Sequence, residues 1–284
     1  MFISETQTVV YQKGISINGE IFLSRASYGD GVFETMRSQG GYLPLLDLHL
    51  LRLARGIAVL GLAEPNLEKI RSELLVIAAA HPNAVVKLIV ISAAAGGSYQ
   101  RRHNGVDYAV LVSALPPSDN LARPDGLIVR VCTTRLAQFS PLSGIKHLNR
   151  GEQILGANES NTIGAHEGLM LNSAGQVICA ISGNIFAVLD EQLCTPIIDG
   201  SGVQGVMRTC IMQICAEIGL ELAVRELQQA DICRATELFL CNAVRGVRPV
   251  ARLIDDCGEE NVYSKQRPVT QRIIAKLNQV AFRP

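Results

Sequence analysis

No stretch of this 284-residue sequence is apolar for long enough to cross a bilayer. The longest apolar runs, such as Leu74–Ala80 and Leu88–Ile91, fall far short of the roughly twenty residues a membrane helix needs. Nor is there an excess of either charge. Twenty-six basic residues balance twenty-six acidic ones, so no overall field recruits nucleic acid or an acidic membrane surface. The eight cysteines (Cys132, Cys179, Cys194, Cys210, Cys215, Cys233, Cys241 and Cys257) contain no Cys-x-x-Cys pair and have no histidine ligands nearby. That pattern argues for buried thiols in a reducing cytoplasm, and against both a zinc site and a disulfide framework. Met1–Val10 mixes polar and apolar residues without a positive start, so no signal peptide is expected. Internal repeats and low-complexity segments are absent as well. What is present, a hydrophobic fraction of 48% and a charged fraction of 18%, describes a soluble globular protein. The length suits one large domain or two modest ones.

The order of elements favours two. Leu48, Leu51, Ala54 and Ile57 repeat at helical spacing over Leu48–Leu60, with Asp47 as the expected N-cap. Asn66 is placed to cap a second helix running to Ala80, and Ala84–Ala93 and Tyr108–Ala114 are β-branched runs that read as buried strands. Pro116, Pro117, Ser118, Asp119 and Asn120 form the clearest linker signal, which divides the chain into domains 1–117 and 118–284. Beyond it, strands are expected at Leu127–Cys132, Gly168–Leu171, Asn184–Leu189, Leu222–Val224, Leu238–Cys241 and Val250–Leu253. Helices are expected after Lys146, over about Gln204–Ile218, and from Pro268 to the C-terminus, where proline suits a first helical turn. The result is an α+β chain with a smaller N-terminal and a larger C-terminal α/β lobe.

Four places carry chemistry. In Ser143-Gly-Ile-Lys-His-Leu-Asn-Arg150, Lys146 sits between the apolar residues Ile145 and Leu148, with His147 directly after it. It fits either an amine kept neutral for attack on a carbonyl, or a lysine whose stem lies on a strand edge with its head in water. Gly202-Val-Gln-Gly-Val-Met-Arg208 is a glycine-marked turn entering a helix, where free amides and the helix dipole suit a phosphate. Arg52, mid-helix beside an apolar face, either clamps an anion or forms a surface salt bridge. Tyr28–Arg37 is a glycine-rich turn followed by alternation that sends Phe33 and Thr35 to one face, and Glu34 and Met36 to the other. An amine, a phosphate cradle and an arginine together suit pyridoxal 5′-phosphate (PLP).

Over nearly its whole length the sequence resembles the fold-type IV PLP enzymes, which include branched-chain and D-amino-acid aminotransferases and the 4-amino-4-deoxychorismate lyases. The resemblance rests on Tyr28–Arg37, Asp47-x-His49-x-x-Arg52-Leu53, Lys146, Gly183-Asn184-Ile185-Phe186, Gly202–Arg208 and Phe239–Val250. Lys146–Arg150 followed by Glu152-Gln153, Cys241-Asn242-Ala243, and Thr35 all resemble the lyases more than the aminotransferases. The resemblance implies a fold-type IV enzyme in which Lys146 bonds to PLP, and Arg52 with the amides of Val206 and Met207 holds the phosphate. Cys179, Asn242 and Ala243 would lie beside the cofactor, with Asn242 helping to recognise substrate and Thr35 handling a proton. It further implies a homodimer, a small-molecule substrate, and conversion of 4-amino-4-deoxychorismate into 4-aminobenzoate and pyruvate for folate synthesis. The alternatives are an aminotransferase for D- or branched-chain amino acids, which Glu34 favours, and a PLP-binding homologue with weakened catalysis.

Two positions depart from the family pattern. Five residues before Asn184, where the family carries a glutamate for the pyridine nitrogen, stands Cys179. Around Gly96-Gly97, where the lyases carry arginines, stand Ala93 and Ser98, leaving Arg101 and Arg102 either to meet a substrate carboxylate or to face solvent. His166 is expected in a surface turn, and no metal site is expected.

Overall fold

A computed structural model describes residues 9–12, 25–93, 99–117, 123 and 125–282. The expectations for Met1–Thr8, for Ser98 and the glycine pair before it, and for Ser118–Asn120 lie outside the described residues. The chain divides into two compact units, Met1–Pro116 with Ile145–Asn149, and Pro117–Gly144 with Arg150–Arg283. Lys146 therefore belongs with the first unit, whereas the linear division at 117 assigns it to the C-terminal domain.

The first unit is built on a four-stranded antiparallel sheet, β1 (Val9–Gln12), β2 (Gly31–Gln39), β3 (Asn83–Ser92) and β4 (Val106–Ala114), in the order β1-β4-β3-β2. Alternation in β2 buries Val32, Glu34, Met36 and Ser38 and leaves Phe33, Thr35 and Arg37 half-exposed, as its sequence predicts. Two helices cover the buried face, α1 (Leu46–Val59) and α2 (Leu67–Ala80). Asn66 caps α2 as expected, its Oδ1 accepting from the amide of Lys69 at 2.9 Å. Asp47 does not cap α1. The cap position falls on Leu45 in the left-handed region (φ 60°), and Asp47 lies inside the first turn, paired with Arg71. At Gly56 helix and sheet approach closely, since a side-chain carbon there would stand 2.8 Å from Val32 Cγ1.

The second unit holds a nine-stranded mixed sheet. Its strands are β5 (Leu127–Leu136), β6 (Glu167–Asn172), β7 (Val177–Ala180), β8 (Asn184–Leu189), β9 (Gln192–Pro196), β10 (Leu222–Arg225), β11 (Glu237–Asn242), β12 (Gly246–Ile254) and β13 (Glu260–Val262). They run in the order β10-β9-β8-β11-β12-β5-β6-β7, with β13 on β12. The helices are α3 (Gly151–Thr162), α4 (Val206–Glu217), α5 (Gln229–Arg234) and α6 (Pro268–Val280). Most expected elements are present with ends moved by one to four residues, as at β5, which continues past Cys132 to Leu136. β7, β9, α5 and β13 were not expected. The core runs from Leu127, Val129 and Val131 through Leu169, Ile185 and Ala187 to Leu238, Leu240, Val250 and Leu253.

The start of α6 is held from a distance. The buried carboxylate of Glu237 on β11 accepts from the amides of Val269 (3.0 Å) and Thr270 (2.8 Å) and from Thr270 Oγ1 (2.7 Å). It thus does the work of a cap that Arg267 does not supply. Glu237→Ala should lower unfolding stability by about 2 kcal/mol, the scale of a lost cap plus buried donors left unpaired. Urea denaturation measures it, and a loss below about 0.5 kcal/mol would show the contacts contribute little.

Candidate active site

In the first unit β2 is an edge strand, and the segment carrying Lys146 pairs with that edge. The amide of Phe33 donates to Lys146 O at 2.9 Å and the amide of Leu148 to Gly31 O at 3.0 Å, with Val32 opposite His147 in an antiparallel bridge. This register sets Lys146 opposite Phe33, on the same sheet face as Phe33 and Thr35. Its amine nitrogen lies 4.3 Å from the centroid of the Phe33 ring. A second amine, Lys87 Nζ, lies 4.8 Å from the same ring, and Lys87 is directly opposite Thr35 in the β2–β3 register. Lys87 was not anticipated as a site residue. Its place follows from alternation once the register is known, and the register is not written in the local sequence.

The reverse face carries a buried charge cluster. Arg52 on α1 donates from Nε to Glu34 Oε1 (2.8 Å) and from Nη2 to Glu34 Oε2 (2.5 Å), with its side chain 11% exposed. Arg52 therefore faces inward, and its guanidinium is oriented by Glu34. His49 Nδ1 lies 2.6 Å from Glu34 Oε2. Burial alone would raise the Glu34 pKa, but the charge of Arg52 and the hydrogen bonds from Arg52 and His49 outweigh it and bring the value down to about 2. Burial, opposed by Glu34 and aided by Arg52 and Lys146, holds His49 below its ordinary value. His49 is then neutral, Nδ1 carries the proton it donates to the ionised Glu34, and the buried Nε2 has no hydrogen-bond partner.

Arg101 is engaged. It pairs with Asp30 through Nε (3.0 Å) and Nη2 and donates from Nη1 to Leu60 O at 2.6 Å, while Arg25 holds the same carboxylate. Two guanidiniums against one carboxylate leave this corner positive. It lines a recess of about 410 Å³ together with Tyr28, Tyr99 and Asn149. Arg102 is exposed.

In the second unit, the turn before α4 passes through Gly202 (φ 80°) and Gly205. Any side chain at Gly205 would collide with the carboxamide of Asn184, whose Nδ2 donates to Val203 O at 3.0 Å. The amide of Gly144 donates to Gly202 O (2.9 Å), and that of Gln204 to Gly144 O (3.0 Å). No side chain caps α4 and its first turn has no acid, so the amides of Val206 and Met207 open a helix whose positive end is unscreened. Cys179 on β7 is buried, its Sγ 3.8 Å from where a side chain at Gly202 would begin. Burial pushes its thiol up to about 12, so it is neutral. Asn242 is occupied by its own turn, Oδ1 accepting from the amides of Val244 (3.1 Å) and Arg245 (2.7 Å), and Nδ2 donating to Ser182 O (3.1 Å). Ala243 follows it in the same turn. His166 is half-buried and braced, its Nδ1 accepting from the amide of Ile128 and its Nε2 meeting Arg123.

The antiparallel first unit, the mixed sheet of the second and these residue sets define an α+β enzyme of the fold-type IV class. The chain belongs to the class IV amino-transferase family, whose sequence model matches residues 31–253. It is 29% identical over 254 residues to the aminodeoxychorismate lyase of Vibrio harveyi, spanning 88% of this chain and 92% of that protein. A 4-amino-4-deoxychorismate lyase from Pseudomonas aeruginosa is 32% identical and superposes with a TM-score of 0.81, over 96% of this chain and 98% of its own. An aminotransferase from Brucella abortus bound to the co-factor PLP shares the fold at 22% identity, with a TM-score of 0.79 over 97% of this chain and 99% of its own.

The Glu34 cluster has a pH signature. A carboxylate whose folded pKa lies below its ordinary 4.5 adds stability above that value and loses it as pH falls toward about 2. The stability advantage of the wild type over Glu34→Gln should be constant near neutrality and shrink between about pH 4.5 and pH 2. Paired urea titrations across that range check it. An advantage that grows on acidification would contradict the ion pair.

Proposed function

We propose that this enzyme is a PLP-dependent lyase converting 4-amino-4-deoxychorismate into 4-aminobenzoate and pyruvate. The single observation behind this reading is that Lys146 and Thr35, an amine and a hydroxyl, share one face of the first sheet. The similarity to lyases over almost the full chain adds to it.

PLP requires an amine and a cradle for a dianionic phosphate. Lys146 meets the first requirement. The uncapped start of α4, hydrogen-bonded through Gly202 and Gln204 to a glycine two residues before Lys146 in the chain, meets the second. Val206 and Met207 would donate to the phosphate, whereas Arg52, expected as a further anchor, is held by Glu34 on the sheet face opposite Lys146. When bound, PLP supplies an aldehyde for the substrate amine and a ring that withdraws electrons.

The rest falls to the chain's own groups. The Lys146 amine accepts the ring proton from the carbon bearing nitrogen, and Thr35 relays it. The carbon–oxygen bond to the enolpyruvyl group then breaks, its electrons leaving on oxygen, and the enol takes a proton to become pyruvate. The ring becomes aromatic, which drives the step. Cys179, being neutral, offers no anion to a pyridine nitrogen. That suits an elimination, whose electrons leave with the ether oxygen, better than a transamination, which must store them. Arg102 and Lys87 are candidate cations for substrate carboxylates, since Asp30 holds Arg101. We infer further that the enzyme is a cytoplasmic homodimer serving folate synthesis.

A second reading, an aminotransferase for D- or branched-chain amino acids, draws on the same scaffold. Its sequence support, Glu34, is turned to the reverse face and spent on Arg52 and His49. The deciding experiment incubates the PLP-loaded enzyme with 4-amino-4-deoxychorismate, and separately with leucine or D-alanine plus 2-oxoglutarate. We expect 4-aminobenzoate and pyruvate in equal amounts, little glutamate, and a rate about a hundredfold lower in Thr35→Val, the scale of one proton-transfer group. Brisk glutamate formation without 4-aminobenzoate would establish the second reading instead.

A further inference from the structure

The start of α4 has a charge with no counter-charge. Each of the other described helices has a carboxylate in or against its first turn: Asp47 in α1, Glu68 in α2, Glu152 in α3, Asp231 in α5, and Glu237 reaching α6. Helix α4 has none, and its third residue is Arg208. A cation in the first turn opposes the helix dipole, so its position is unfavourable in the protein alone.

Burial makes it more so. Arg208 is 7% exposed. Its hydrogen bonds go to neutral oxygens only, from Nε to Thr195 Oγ1 at 3.2 Å and from Nη2 to Pro196 O at 2.9 Å. The Thr195 hydroxyl spends its own proton on Ile185 O. The buried guanidiniums of Arg25 and Arg248 each have a carboxylate, Asp30 and Glu167, and that of Arg267, which has no ion pair among the described residues, feels the charge of Glu237. Among the described residues Arg208 has no carboxylate within ion-pair reach, and the one ionisable group that acts on it is the thiol of Cys241. Burial pushes that thiol up to about 12, so it brings no negative charge. A buried cation without an anion is costly, and a protein that keeps one has a use for its field.

We propose that Arg208 is a positioning residue for an anionic phosphate, supplying from behind the first turn of α4 the positive charge that draws the phosphate to the amides of Val206 and Met207. The bound phosphate is its missing counter-ion. This rests on the reading that those amides hold the phosphate of PLP. Arg208 itself need not touch the ligand. Its charge adds to the dipole of the helix that does, and its two hydrogen bonds to β9 fix where that charge stands.

A mere brace between α4 and β9 makes the opposite forecast, and the two are separable. The full chain, freed of PLP, is prepared as wild type, Arg208→Met and Arg208→Lys. Dissociation constants for inorganic phosphate and for PLP are measured by calorimetry, and Tm is measured without ligand. We expect Arg208→Met to bind both anions at least about tenfold more weakly, the scale of one charge–charge interaction in a partly buried site. Its ligand-free Tm should be no lower than the wild type's, because an uncompensated charge has gone. Arg208→Lys, which keeps the charge and loses the fork, should bind close to wild type. Affinity decides: wild-type affinity in Arg208→Met overturns the proposal, as does an equal loss in Arg208→Lys. Should Arg208→Met fail to fold, Arg208→Gln, which retains a donor for Thr195, carries the same comparison. A wild type that binds phosphate but not PLP removes the cofactor reading and leaves the role of Arg208 standing. One that binds neither removes both.

Discussion

Two backbone hydrogen bonds along the open edge of β2, from Phe33 to Lys146 and from Leu148 to Gly31, fix the position of the amine on which the proposed chemistry turns. An edge strand exposes unpaired amides and carbonyls and invites a partner. Here the partner is a segment more than a hundred residues away in sequence, and the antiparallel register it adopts decides which sheet face receives Lys146. A shift by one residue would put His147 in its place. The apolar flank that marks Lys146 in the sequence has the same origin, because Ile145 is fully buried, close to Gly56 of α1.

The charges are arranged with similar economy. On the buried side of the first sheet Glu34 joins Arg52 and a neutral His49 into one cluster. Near the recess beside Tyr28, Asp30 holds Arg25 and Arg101. In the second unit Glu167 joins Arg248 and Ser182. Beside these pairs, the uncapped α4 carries Arg208 in its first turn with no carboxylate within ion-pair reach among the described residues. It has the electrostatics of a place completed by an anion, whereas the neutral Cys179 lacks those of a place for a cation.

Much of this was legible in the sequence, for physical reasons. Period-two alternation foretold which β2 side chains are buried, Asn66 announced its helix, and the glycines of the α4 turn marked a backbone that admits no side chain. What was missed depends on partners remote in sequence. Asp47 looks like a cap, but Leu45 takes the left-handed conformation and starts the helix earlier. Arg101 looks free until Asp30, 71 residues away, is brought against it. Lys87 becomes a neighbour of Thr35 only through strand register, and the capping role of Glu237 spans 33 residues. Strands as short as the four residues of β7 leave no periodicity to read.

The most direct test asks which amine bonds to the cofactor. PLP-loaded protein is reduced with borohydride, digested, and its peptides mapped for the pyridoxyl group. The account predicts label on the peptide containing Lys146 and none elsewhere. Label on Lys87, the other amine over the Phe33 ring, or the absence of any labelled peptide, would contradict it.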